Sequence, residues 1–294
     1  MSDIIPISNV AATMTWNGIT FAVVEITPAI AKKMLENNIK NRPMYQMTME
    51  AYKADKELGN WVFTGDPIRF HQNGTLIDGQ HRCTSISLMD DGYSESVLCI
   101  FGLDDDAQFA MDQGKKRSTS DQLGLDDYVN TSITAAAVKW VLVMEAGLLF
   151  RDNNKRAQVS TSAQIKNWAD THPKEIRIIN EVSTDARLCH VSPSMVVLAA
   201  LLFSKIDEAA AKSFVSQLRT GAGLEEGSAI LAFRERALRN RMEKKKDTDR
   251  DVLGLLIRAW NAERRGKKIT RLQLPKASAG GRPTFSESNF PEPI

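Results

Sequence analysis

Five consecutive residues combine an acid, a glycine, an amide, an imidazole and a guanidinium: Asp78, Gly79, Gln80, His81 and Arg82. A strand-like stretch at 75–77 precedes this Asp78–Arg82 motif, and the apolar residues over 83–90 are spaced as on one face of a helix. The motif is therefore predicted at a helix start, where unpaired backbone N–H groups and the helix dipole attract anions. An imidazole and a guanidinium at that place predict a phosphate site.

A purely structural interpretation of the motif stays open. Asp78 could cap the helix, and Gly79 could supply only a turn with positive φ. His81 and Arg82 could then be solvated residues of the first turn. Cations are unfavourable at the positive end of a helix dipole, however, which favours a bound anion that compensates them.

A second cluster of cations and hydroxyl groups follows the motif. Lys115, Lys116 and Arg117 run into Ser118 and Thr119, and the hydroxyl residues are typical of a helix start. Backbone N–H groups, hydroxyls and cations could converge there on one anion. The alternative is an exposed, charged loop that caps a helix.

Strand and helix patterns alternate around these clusters. Thr27 and Pro28 fit the cap and first position of a helix, and Asn73 with Gly74 is a strong hairpin signal. The predicted strands cover 19–26, 67–70, 75–77 and 96–101, and the predicted helices cover 28 to about 39 and 44–58, with a further start at 104–106. This pattern predicts an α+β fold with a few-stranded sheet over residues 1–125.

These residues resemble the ParB/sulfiredoxin superfamily, in particular phage and mobile-element members labelled ParB-like nucleases and DGQHR-domain proteins. The resemblance covers residues 20–125. It is carried by Asp66-Pro67-Ile68-Arg69-Phe70, the Asn73-Gly74 turn, Leu76-Ile77-Asp78-Gly79-Gln80-His81-Arg82, and Met111-Asp112-Gln113-Gly114 with Arg117.

The resemblance implies a ligand and a set of roles. His81 and Arg82 would hold the phosphates of a nucleoside triphosphate, ATP or CTP, with Gly79 and Gln80 in the same loop. Asp78 would orient His81 or help to place Mg²⁺, so Asp78 and His81 are the implied catalytic residues. In ParB-type CTPases a later helix start completes the triphosphate cradle, and residues 116–119 are similar in position. Sulfiredoxins carry a cysteine where this chain has Gln80, and glutamine cannot form a thiolate, so sulfinate reduction is not expected.

Beyond residue 125 the pattern is entirely helical. The stretch 134–149 is apolar on most sides, as in a central core helix, and Thr161 with Gln164 matches a capping box. Further helices are predicted over 195–203, 209–218, 230–246 and 249–265. The predicted helical domain is 126–275, and 276–294, rich in Gly, Ser and Pro, is predicted to be a flexible tail.

Charge is distributed unevenly along the chain. Residues 1–150 hold 12 Lys and Arg against 19 Asp and Glu, a balance of −7, whereas 234–271, the basic segment, holds 14 against 6, a balance of +8. Such asymmetry points to nucleic acid. The predicted DNA contacts are Arg234, Arg241, Lys244, Lys245 and Lys246. The alternative is a solvated helix with intrahelical pairs such as Glu235–Arg239.

The amino-acid composition indicates the class of protein and its cellular location. The chain of 294 residues is 43% hydrophobic and 25% charged, as in soluble globular proteins. No apolar run is long enough to span a bilayer, and no secretory signal is recognised. Three cysteines without metal spacing suit a reducing compartment. The expected location is the cytoplasm, the host cytoplasm if the protein is phage-encoded.

Three functions stay open. The first is a DNA-associated enzyme that binds a nucleotide and hydrolyses it or transfers its phosphoryl group, largely by positioning and charge neutralisation. The second is a non-catalytic ParB-like DNA-binding regulator. The third is a ParB-like nuclease, for which Asp78 and Asp112 are the suggestive carboxylates. The expected partners are DNA and nucleotide, and a homodimer is a possible assembly.

Overall fold

The computed structural model describes residues 5–39, 41, 43–104, 107, 118–276 and 281–294. The predicted α+β class is confirmed, with a five-stranded sheet near the N-terminus and a helical region after it. The chain forms two compact units: unit 1 is Met1–Lys116 with Asp152–Gln164, and unit 2 is Arg117–Arg151 with Ile165–Ile294. The chain therefore returns to unit 1 at Asp152–Gln164, after its first passage through unit 2.

The sheet of unit 1 has the strand order β1-β2-β5-β3-β4. Its strands are β1 Val10–Trp16, β2 Ile19–Ile26, β3 Ile68–His71, β4 Leu76–Asp78 and β5 Glu95–Leu103. Neighbours are antiparallel except β3 and β5, which are parallel. The predicted strands did not include β1, although Ala12, Met14 and Trp16 alternate with Thr13 and Thr15 and the Asn17-Gly18 pair that follows is a hairpin signal.

Twelve α-helices lie within the described residues. They are α1 Pro28–Leu35, α2 Gln46–Glu57, α3 Gln80–Ser87, α4 Thr119–Leu125, α5 Thr131–Glu145, α6 Asn153–Gln158, α7 Ser162–Thr171, α8 Pro173–Ala186, α9 Pro193–Ser204, α10 Glu208–Thr220, α11 Ala229–Met242 and α12 Asp249–Arg264. The predicted capping box is confirmed: Thr161 N–H donates to Gln164 Oε1 (2.8 Å), and Gln164 N–H donates to Thr161 Oγ1 (3.3 Å). Asp105 and Asp106, which were predicted to start a helix, lie outside the described residues.

The core of unit 1 packs the inner face of the sheet against α1 and α3. Ile68 and Phe70 of β3 are fully buried, as are Met34 of α1 and Ile86 of α3. The hairpin between β3 and β4 turns at the predicted Asn-Gly pair, where Gly74 N–H donates to the His71 carbonyl (2.9 Å). This hairpin delivers the chain to the start of α3.

Helix α9 lies at the centre of unit 2. Nine of its residues are buried, so this helix is enclosed on all sides. The sequence predicted the central core helix over 134–149, but α5 has six buried residues and exposes Lys139, so it lies at the side of the core. Phe203 of α9 stacks on Trp260 of α12 with ring centroids 4.3 Å apart, and Phe214 of α10 meets Trp260 edge-on. These aromatic contacts tie three helices into one core.

The C-terminal segment, predicted to be a tail, packs on α12. Phe285 is 1% exposed. Its N–H donates to Asp251 (2.9 Å), and a Cβ added to Gly254 would come within 2.5 Å of its ring. Trp260 Nε1 donates to the Ile294 carbonyl (2.8 Å). The Gly- and Pro-rich composition suggested disorder. The contacts of Phe285 and Ile294 with Asp251 and Trp260 of α12 hold this segment in place, and composition does not reveal such contacts.

None of the described helices is both long enough and apolar enough to cross a membrane.

Candidate functional site

The Asp78–Arg82 motif spans the junction between the end of β4 and the start of α3, as predicted. Gly79 is the N-cap of α3 with φ 100°. A Cβ there would come within 2.9 Å of Ile68, so both the backbone angle and the close approach require glycine. The first intrahelical bond runs from Cys83 N–H to the Gly79 carbonyl (2.9 Å). The N–H groups that precede it have no acceptor within the helix.

The charged side chains of the motif are bound to the fold. Asp78 accepts a hydrogen bond from Arg69 Nη1 on β3. Arg82 donates to the carbonyls of Asp66 and of Pro67 (2.6 Å for Pro67), and its Nη2 lies 3.8 Å from Asp78 Oδ2. The Arg82 side chain is only 16% exposed. Both charges therefore hold the segment before β3 against α3, which favours a structural role for Asp78 and Arg82 over a catalytic or phosphate-binding one.

Gln80 and His81 lie in different surroundings. Gln80 is 5% exposed, and its Oε1 accepts a hydrogen bond from Asn38 Nδ2 (3.1 Å). His81 Nε2 accepts from the backbone N–H of Tyr45 (3.1 Å), so the neutral ring carries its proton on Nδ1. The rings of His81 and Tyr45 are nearly parallel, 9° apart, and Tyr45 is 60% exposed. An aromatic surface thus lies beside the start of α3.

The cysteine next to the motif is not a nucleophile. Cys83 is fully buried, and burial raises the pKa of its thiol to about 12. Cys99 and Cys189 are also buried, and none of the three forms a disulfide. At neutral pH Cys83 is therefore a protonated thiol packed in the core.

The sequence analysis missed a buried ion pair near the motif. The Lys56 side chain is fully buried, pairs with Glu95, and lies 3.6 Å from the centroid of the Trp61 ring. Burial is the main cause that lowers the pKa of Lys56 to about 8. Glu95 raises this pKa, and the positive charge of Arg82 lowers it further. Tyr93 donates to Glu95 (2.5 Å), and its own pKa is raised, mainly by burial. Lys56 and Glu95 are 39 residues apart, so no local sequence pattern indicates their pairing.

Only part of the second predicted cluster is described. Lys116 and Arg117 lie outside the described residues, as does Asp112. Ser118 caps α4 and forms a capping box with Asp121: Ser118 N–H donates to Asp121 Oδ2 (2.8 Å), and Asp121 N–H donates to Ser118 Oγ (3.2 Å). Thr119 is the first residue of α4. Ser118 therefore does what the capping alternative predicts, and Ser118 and Thr119 belong to unit 2 whereas the motif belongs to unit 1.

The basic segment is poorly compensated. Of its 14 Lys and Arg, only three contact a carboxylate among the described residues, namely Arg236 with Asp247 (2.9 Å), Lys245 with Glu243 (2.7 Å) and Arg264 with Asp207 (3.6 Å). The Glu235–Arg239 pair that helical spacing suggests is not formed. Most of these cations are therefore not neutralised by an ion pair among the described residues, and the alternative of a solvated helix stays open.

The five predicted DNA contacts differ in their availability. Arg234 donates to the Leu218 carbonyl at the end of α10 and is used by the fold. Arg241 contacts His190 Nδ1 (2.8 Å), and Lys245 is paired with Glu243. Lys244 and Lys246 are exposed, and neither side chain has a partner in the described part of the chain.

Four of these residues line one cavity of about 520 Å³ in unit 2. Its base includes Phe233 and Val252, and its rim includes residues 244–246 and 190–192. His190 and Lys244 both have positive φ, 60° and 52°. At Lys244 this is the usual end of a helix: Lys244 N–H donates to the Arg241 carbonyl (3.3 Å), and Lys245 N–H donates to the Asn240 carbonyl (2.8 Å).

No group of three or more His, Cys, Asp or Glu that could hold a metal ion occurs among the described residues.

Comparisons of the chain with models of protein families, with curated proteins and with solved structures find no match. Membership of the ParB/sulfiredoxin superfamily therefore stays a prediction.

Proposed function

We propose that this protein binds DNA through the basic segment. The observation that carries the proposal is the charge count: 11 of the 14 cations in 234–271 have no carboxylate contact among the described residues. Uncompensated cations on one stretch repel one another, and a phosphate backbone relieves that repulsion and releases its own condensed counterions. Lys244 and Lys246 are the residues best placed for such contacts, and Arg241 borders them.

Fluorescence anisotropy of labelled duplex DNA over a salt series tests this proposal. Affinity should fall linearly with salt on logarithmic axes, with a slope of about −0.9 for each phosphate neutralised. An affinity that does not change between about 50 and 200 mM salt would remove the proposal.

As a second candidate, we propose that unit 1 binds a nucleoside triphosphate, ATP or CTP with Mg²⁺, at the start of α3. This proposal includes membership of the ParB/sulfiredoxin superfamily. The supporting observations are the αL glycine at the N-cap, the positive end of the helix dipole, and the exposed Tyr45 ring stacked on His81. Phosphates would meet the helix start, and a base would stack on Tyr45. The Arg82 guanidinium, which already holds two carbonyls, would support the loop from behind.

Titration of ATP, CTP, GTP and ADP with Mg²⁺ by calorimetry tests the second candidate. Tyr45→Ala should weaken binding by about tenfold, since one base stacked on an aromatic ring contributes about 1–3 kcal/mol. Tyr128→Ala in unit 2 is the control and should leave binding unchanged. If no nucleotide binds to the wild type, this candidate is excluded.

Turnover assays separate the remaining functional classes. Phosphate release from a bound nucleotide, with or without DNA, would indicate a hydrolase or phosphotransferase in which His81 is the residue to test. Binding without turnover would indicate a regulator, and Mg²⁺-dependent cleavage of DNA would indicate a nuclease. A cytoplasmic location, in the host if the protein is phage-encoded, and a homodimeric assembly belong to the same proposal.

A further inference from the structure

The C-terminal part of the basic segment lines a cleft of its own, apart from the cavity that Lys244 and Lys246 line. Four cations, Arg258, Arg265, Lys267 and Arg271, line a cleft of about 440 Å³, and no Asp or Glu is among its lining residues. We name it the cationic cleft. It lies between the C-terminal half of α12 and the chain that follows it, with Pro291 of the C-terminal segment at one side.

Arg258 shows that the charge of the cleft is uncompensated. Its guanidinium is half-buried, donates to the Gln273 carbonyl (3.0 Å) and lies 4.6 Å from the centroid of the Phe285 ring. Burial alone lowers its pKa, with no carboxylate to oppose the shift. This partly desolvated charge has only a carbonyl and an aromatic ring as partners among the described residues, so an anion in the cleft would stabilise it.

The other three cations add to that charge. Arg265, Lys267 and Arg271 are exposed, and their side chains make no ion pair with any residue in the described ranges. Cations near the C-terminus of a helix can offset its dipole, and Arg265 is the C-cap of α12. That dipole is worth only about half an elementary charge, so it cannot balance four cations.

The walls of the cleft are preformed. Lys267 N–H donates to the Ala262 carbonyl (2.9 Å), and Ile269 N–H donates to the Gly227 carbonyl (2.7 Å). The Asn261 side chain donates a hydrogen bond to the Glu292 carbonyl (2.7 Å), which fixes the C-terminal segment beside Pro291. The volume falls within the range of small-ligand sites, about 300–1,000 Å³, and a concave site of this size suits a compact ligand better than a duplex.

We propose that the cationic cleft binds a compact oligophosphate, such as the diphosphate or triphosphate group of a free nucleotide. Adjacent phosphates would place several negative charges within reach of the Arg265, Lys267 and Arg271 side chains. Bidentate hydrogen bonds from the two guanidinium groups would favour phosphate over simpler anions. The site is separate from the start of α3 and from Lys244 and Lys246.

Calorimetric titration with inorganic tripolyphosphate tests the proposal on the full chain. The test variant is Lys267→Glu with Arg271→Glu, and the control is Lys139→Glu with Lys174→Glu, two exposed cations of unit 2 that also make no ion pair with any described residue. The wild type and the control should bind tripolyphosphate at least about tenfold more tightly than the test variant. Unchanged binding in the test variant, or an equal loss in the control, would overturn the proposal.

Parallel titrations identify the source of the phosphates. ATP should lose affinity for the cleft in the test variant as tripolyphosphate does, and a separate nucleotide site at the start of α3 would be recognised by its loss in Tyr45→Ala. ATP binding that the test variant leaves unchanged would overturn the proposal. Binding of a single-stranded oligonucleotide without any binding of tripolyphosphate or ATP would also overturn it, since the cleft would then be part of the DNA surface.

Discussion

The Asp78–Arg82 motif and the basic segment differ in how their charges are used. In the motif, Asp78 is bonded to Arg69 and lies 3.8 Å from Arg82, which in turn holds two backbone carbonyls. In the basic segment, 11 of 14 cations have no carboxylate contact in the described residues. The densest chemical motif of the sequence is thus largely occupied by the fold, and the uncompensated charge lies elsewhere.

This difference shows why residue types alone do not identify a binding site. A guanidinium that donates to carbonyls and faces a carboxylate has few hydrogen bonds left for a ligand. An exposed lysine that has no carboxylate partner can pair its charge with a phosphate of the ligand. The comparison predicts that substitutions in the motif change stability and that substitutions in the basic segment change binding.

The largest expected effect is on Arg82. Arg82→Ala removes the donor to the Asp66 and Pro67 carbonyls and leaves Asp78 with one guanidinium, so we expect a loss of about 3 kcal/mol of unfolding free energy. Lys246→Ala, on an exposed side chain without a partner, should change stability by less than about 0.5 kcal/mol. Urea unfolding measures both. Equal effects would contradict the contrast between the regions.

The buried Lys56 gives a pH dependence to unit 1. Its folded pKa of about 8 lies below the ordinary lysine value of 10.5, so between these values the unfolded chain binds more protons at Lys56, and this residue contributes stability that rises with pH. The three buried thiols have raised pKa values and lower stability over the same range, but they act alike in the wild type and in Lys56→Met. We therefore expect the wild type to gain about 2 kcal/mol of unfolding free energy relative to Lys56→Met from pH 8 to about 10, measured by urea unfolding. A difference between the two proteins that does not change across this window would show that Lys56 stays charged in the fold.

The packing of Phe285 on α12 can be tested by a substitution of Gly254, with a substitution of Gly124 in α4 as the control. Gly254→Ala would place a Cβ within 2.5 Å of the Phe285 ring, so we expect a loss of about 1–2 kcal/mol. Gly124→Ala in α4 meets nothing within 4 Å and should be neutral or stabilising. Thermal unfolding of both variants measures the difference. Equal stability of the two would show that Phe285 does not pack on α12.

The sequence predicted the elements better than the use of their side chains. The Asn73-Gly74 hairpin, the start of α3 and helix α9 followed from turn chemistry and apolar spacing, which are local signals. The partners of Arg82 are carbonyls 15 and 16 residues earlier, and Phe285 packs on α12 from a Gly- and Pro-rich stretch. Such contacts depend on the assembled fold, so the structural role of Arg82 and the docked C-terminal segment could not be read from local patterns.

The salt dependence of DNA binding in paired variants tests the central claim most directly. Lys244→Ala with Lys246→Ala removes two exposed cations of the basic segment, and Lys32→Ala with Lys33→Ala removes two exposed cations of unit 1. If Lys244 and Lys246 each neutralise a phosphate, the first pair should reduce the slope of log affinity against log salt by about 1.8, and the second pair should leave it unchanged. Equal slopes for both pairs, or a loss only in the unit 1 pair, would contradict the assignment of DNA binding to the basic segment.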